Sequence, residues 1–240
     1  RPNPDSVVDN DLAWFLLTVR PPALRDPALA RELAERAVVA TRRAWPDALD
    51  TLSLAEERLG RLDIAIALES EAAELPDGLF AYSLEDRMVD LLSRRGEPEK
   101  VEKFLRRNLA RRLAVKGADE VRSARTRQLL GAHLRQVRRI EEAEREQRAA
   151  LATLERLRPP GDWRRVLGGV ELAATLVAQG RHAEAESLLL AAWRSLEGLP
   201  AVEPSDRQAI AEGLAALYTD RSRPTDAALW RNRADEQREP

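Results

Sequence analysis

The 240 residues carry 39 basic and 41 acidic side chains, a formal charge of −2 at pH 7, with 44% hydrophobic and only 4% aromatic residues. Cysteine is absent, which excludes disulfides, cysteine-ligated metals and thiol nucleophiles together. Leu, Ala, Arg and Glu dominate; these are strong helix formers, and the scarcity of aromatic and β-branched residues argues against sheets, so an all-α chain is expected.

Charge is unevenly placed. Residues 1–93 carry 10 basic and 18 acidic side chains (−8), residues 94–148 carry 17 and 9 (+8), and the remainder 12 and 14 (−2). Only Lys100, Lys103 and Lys116 among the cations are lysine, a bias read more simply as GC-rich coding than as a binding specialisation. No apolar run approaches the roughly 20 residues of a membrane span, and Arg1 to Ser6 lacks the apolar core of a signal peptide, so a cytoplasmic chain without membrane contact is expected. The chain begins at Arg1 and holds one methionine, Met88, as expected of a piece of a longer protein.

In chain order, first helices are expected near 9–19, 47–59, 79–95, 118–136, 163–179 and 204–221, and second helices near 27–44, 62–75, 98–115, 138–157, 181–197 and 224–237. Apolar pairs spaced by four mark the first helices: Leu12 and Leu16, Met88 and Leu92, Leu130 and Leu134, Leu172 and Leu176, Leu214 and Tyr218, with Leu52 alone in the second. Asp26-Pro27 reads as an N-cap with proline in the first turn. Turns fall at Gly60, Gly96, Gly180 and Pro224; Arg138 stands where glycine is usual, which predicts a looser fourth turn.

The units repeat. Gln179-Gly180-Arg181-His182-Ala183-Glu184-Ala185 matches Arg138-Arg139-Ile140-Glu141-Glu142-Ala143, and Val101, Ala143, Ala185 and Ala227 stand 42 residues apart, preceded by Ala30 and Ala65 at intervals of 35 and 36. A second small residue follows seven positions on: Ala37, Ala72, Ala150, Ala192 and Ala234, with Asn108 departing in the third copy. Small side chains at those places let two antiparallel helices approach closely.

These residues resemble the tetratricopeptide repeat, in the 42-residue variety of kinesin light chains, over nearly the whole chain. The resemblance implies a right-handed α-solenoid of about six helix pairs, one domain over 1–240 with repeats near 9–44, 47–75, 79–115, 118–157, 163–197 and 204–237. It implies a non-catalytic module that binds a protein or peptide in a groove lined by the first helices. Transferred to this chain, the groove positions include Asp50, Arg87, Asp90 and Arg94, then Arg125, Gln128 and Arg135, then Val170, Glu171 and Ala174, and last Glu212 and Asp220. Arg87, Arg94, Arg125 and Arg135 would suit a carboxylate or an acidic peptide. The C-terminal third, from Gly161-Asp162-Trp163-Arg164 to Ala227-Ala228-Leu229-Trp230-Arg231, is similar to the arrays that follow bacterial serine/threonine kinase domains, which implies the docking or sensing part of a larger signalling protein.

Other chemistry has little support. His133 and His182 stand at unmatched repeat positions without metal-ligand spacing. Glu141, Glu142 and Glu144 lie among arginines at helical spacing, as a solvated ion-paired face does. No phosphate-binding glycine motif, nucleophile elbow or metalloprotease motif occurs, so neither catalysis nor a cofactor is expected. The basic belt 94–148 offers an alternative reading as a nucleic-acid-binding superhelix, although it lacks interleaved aromatics for base stacking. The five tryptophans fall at different repeat positions and read as packing residues at helix ends and seams.

Overall fold

A computed structural model describes residues 2–75, 82–114, 120–196 and 204–236. The described residues form twelve α-helices, with a single 3-10 turn at Pro22–Leu24 and no strand. They are α1 (Pro4–Thr18), α2 (Pro27–Ala40), α3 (Pro46–Arg58), α4 (Leu62–Glu74), α5 (Tyr82–Arg95) and α6 (Pro98–Ala114). They continue as α7 (Glu120–Gln136), α8 (Ile140–Leu157), α9 (Trp163–Ala178), α10 (His182–Ser195), α11 (Pro204–Asp220) and α12 (Pro224–Glu236). The expected helix starts at 79 and 118 and the ends at 115, 197 and 237 fall outside the described residues.

Proline punctuates the starts: α1, α2, α3, α6, α11 and α12 each open on one, where its fixed φ suits the helix and its missing N–H is no loss. Two of these starts are also capped, Asn3 Oδ1 accepting from the Ser6 amide at 2.8 Å and Asp26 Oδ1 from the Leu29 amide at 3.0 Å. That cap carries α1 back to Pro4, five residues before its expected start.

The turn between paired helices is nearly identical in five repeats. Gly60, Gly96, Arg138, Gly180 and Ser222 all have positive φ, from 55° to 79°. In each, the next amide reaches back to a carbonyl five residues earlier: Arg61 to Glu56, Glu97 to Leu92, Arg139 to Leu134, Arg181 to Leu176 and Arg223 to Tyr218, at 2.8–3.0 Å. This is the backbone closure of a Schellman motif. The fourth turn is therefore not looser than the rest; Arg138 adopts the left-handed conformation, and its main-chain bonds hold it there.

Two compact units divide the contacts, Arg1–Phe104 and Leu105–Pro240, and each has its own core. In the first, Ala30, Ala37, Ala65 and Ala72 are fully buried where paired helices meet. The stripe of α1 differs from expectation: Ala13 and Leu17 are buried while Leu12 is 44% exposed. The helix is turned by one residue from the expected stripe, and Ser6 and Asn10 complete its inward face.

In the second unit Ala143, Ala150 and Ala185 are fully buried, Ala227 and Ala234 nearly so, and Ala192 packs against the large core cluster around Leu172, Leu176, Leu189 and Leu214. Gly131 lets α7 and α8 approach closely: a Cβ there would lie 2.5 Å from Gln147 Cγ and 3.2 Å from the Ala143 carbonyl oxygen. Trp193 and Trp230 meet edge to face at 5.0 Å, a packing pair at a helix seam.

Candidate protein-binding surface

In the second unit α9 touches both α7 and α11, so these three first helices lie side by side. Small residues between the pairs place them this close, and the positions left off the core stripe face outward. Arg125 and Arg135 on α7 are half-buried, as are Glu171 and Ala174 on α9. Arg135 donates to Glu171 Oε2 at 3.1 Å, with the two side chains 30% and 27% exposed. Gln128 is only 3% exposed; its amide donates across the seam to the Arg164 carbonyl oxygen at 3.2 Å, so it joins repeats and does not face solvent. Val170 packs on the core. Glu212 and Asp220 border an open cleft between α11 and α12, with Ala216, Thr219, Arg231 and Asp235.

In the first unit the expected positions separate into two environments. Asp90 and Arg94 form a surface pair on α5, their side chains 60% and 44% exposed, and Arg94 also donates to Glu57 on α3. Arg87 lies inside. Its Nε donates to Glu69 Oε1 at 2.7 Å and lies 2.8 Å from Asp50 Oδ1, its Nη2 donates to Ser53 Oγ at 3.1 Å, and Glu57 is 3.7 Å away. Asp50 is 8% exposed and Glu69 fully buried. Burial, then the neighbouring charge of Asp50, push the Glu69 carboxyl up to about 8. Arg87 and Asp50 thus form an interior ion cluster joining α3, α4 and α5. Glu69 had no sequence signal beyond being an acid on the inward side of a second helix.

The basic belt brings its own counter-ions. Arg95 pairs with Asp63, Arg106 and Arg139 with Glu142, Arg127 with Glu146, and Arg148 with Glu144 and Glu184. Glu144 also accepts from Gln179 and Arg181; hydrogen bonds from Gln179, Arg148 and Arg181 together hold its carboxyl down at about 2 against the opposing effect of burial. His133 is buried in α7 and His182 pairs with Asp220. Among the described residues no group of three His, Asp or Glu is placed to hold a metal ion, and no helix is long and apolar enough to cross a membrane.

No protein-family model and no curated protein matches the sequence. Solved structures do match. BtubC (BKLC) from P. vanneervenii aligns with a TM-score of 0.70 at 20% identity over 98% of this chain and 92% of that one. The fold is that of a tetratricopeptide-type helical array. PilW, a type IV pilus biogenesis factor, aligns at a TM-score of 0.64 and 16% identity over 98% and 94% of the two chains, and PilF of Pseudomonas aeruginosa at 0.61 and 12% over 98% and 92%. These neighbours are tetratricopeptide-like repeat proteins, and at such identities the likeness is one of fold.

Proposed function

We propose that this chain is a non-catalytic interaction module that binds a protein or peptide segment across the first helices of its second unit. The observation that carries this reading is the row formed by α7, α9 and α11, with Arg125, Arg135 and Glu171 half-exposed along it. Repeat arrays present such extended surfaces to partners, and an extended segment carrying an acidic side chain beside a small apolar one would meet Arg125 and Ala174 there. The docking is charge-assisted, since guanidinium groups hold carboxylates in paired hydrogen bonds. Asp90 and Arg94 offer the same kind of mixed surface on the first unit.

Nucleic acid is a poorer ligand for this surface because the belt arginines already face carboxylates, and a duplex would have to displace them without aromatic stacking in return. The C-terminal resemblance supports a place within a larger bacterial signalling protein such as a serine/threonine kinase, in the cytoplasm; the reading frame upstream of Arg1 tests that context.

The surface itself is tested with an immobilised peptide array of graded acidity. Acidic peptides should be retained by the wild type and weakened about tenfold by Arg125→Glu, on the scale of one charge-assisted contact reversed. Unchanged retention by a variant with wild-type helicity would remove the proposal.

A further inference from the structure

Helix α1 is apolar on the wrong side. Its inward face is Ser6, Asn10, Ala13 and Leu17, whereas Val8, Leu12 and Phe15, at helical spacings of four and three on the opposite face, are 64%, 44% and 56% exposed. The larger hydrophobic groups therefore stand in water, and covering them would be favourable. A contiguous apolar stripe on an otherwise charged chain marks a contact surface.

The charge carried by α1 is of one sign. Helix α1 holds Asp5, Asp9 and Asp11 and no basic residue. Asp9 is neutralised by Arg36 on α2, whose Nε and Nη2 donate to it at 3.0 and 2.6 Å. Asp5 and Asp11 are exposed, one on each flank of the stripe, and neither has an ion-pair partner among the described residues.

We propose that the outer face of α1 docks an amphipathic helix of a partner protein whose apolar stripe is flanked by lysine or arginine. This surface is separate from the row on α7, α9 and α11. A second copy of this chain is the wrong occupant, because two α1 stripes face to face would bring Asp5 and Asp11 of both copies together, and like charges held that close oppose association.

The test uses the 240-residue chain and two synthetic amphipathic helices, identical in their leucine stripe and flanked by lysine in one and glutamate in the other. Fluorescence anisotropy should show the lysine-flanked peptide binding about tenfold more tightly, as expected for a few exposed charge pairs. Asp5→Lys with Asp11→Lys should reverse that preference. Leu12→Asp with Phe15→Asp should abolish binding at unchanged helicity, while Arg125→Glu leaves it untouched. Absence of binding, equal affinity for the two peptides, or survival of binding in the Leu12→Asp, Phe15→Asp variant would overturn the proposal. So would a dimer of the wild type in sedimentation velocity that the same double variant dissolves, since the occupant would then be a second copy.

Discussion

Glu69 is fully buried beside Asp50 with one guanidinium, Arg87, between α3, α4 and α5, and its carboxyl is raised from an ordinary 4.5 to about 8. A raised folded-state value means the folded chain holds a proton that the unfolded chain releases, so this stability is complete below about pH 4.5 and is lost as pH climbs towards 8. Thermal melts should show the melting temperature falling across that window, and Glu69→Gln, which imitates the protonated acid, should flatten that part of the curve. Arg87→Ala should instead destabilise by about 3–5 kcal/mol, because it leaves a buried pair of acids without a cation. In the sequence Asp50 and Arg87 look like polar points on outward-facing helices. A periodicity of 3.6 tells which residues face the paired helix, but not that a third helix covers Asp50 and Arg87 with Glu69. The alanines were readable for the opposite reason: a small residue recurring every 42 positions has only the close packing of two helices to explain it.

The repeating element is a helix pair closed by its own main chain. Glycine occupies the left-handed position in three of the five matching turns, and Arg138 and Ser222 occupy it in the other two, at φ of 64° and 55°. A side chain there costs about 1 kcal/mol relative to glycine. Arg138→Gly should therefore raise stability by about 1 kcal/mol in urea denaturation, and Gly180→Arg should lower it by a similar amount. Helix positions were legible to within a few residues because proline and glycine bracket them. The rotation of α1 was not, since Leu12 and Leu16 satisfy the same spacing as Ala13 and Leu17 and spacing alone does not choose between the two pairs.

Across the whole molecule, ion pairs stitch neighbouring repeats at separations close to one repeat. Arg94 reaches Glu57 in the first unit; in the second, Arg135 reaches Glu171, Arg148 reaches Glu184, Arg181 reaches Glu144 and Arg221 reaches Glu186. Each is a partly exposed pair worth about 0.2–1 kcal/mol and subject to screening. Raising sodium chloride from about 0.02 to about 0.5 M should lower the melting temperature by roughly 5 °C, the shift expected for a loss of about 1–2 kcal/mol in a chain of this size; a flat or rising curve would show that the stitches are energetically idle. Arg94, Arg135 and Arg148 of the arginine-rich belt take part in this stitching, which a linear count of charge cannot separate from an open patch.

The turns have one more consequence. Because backbone amides and carbonyls close them, the residue at each corner is free to be glycine, arginine or serine, and the turn of the third repeat closes like the others although Val101 and Asn108 stand where its siblings have alanine. Mutation can thus erase the lettering of a repeat while its main-chain path persists. Such a chain matches nothing where residue identities are scored, and still shares its fold, at 12–20% identity, where helices are superposed.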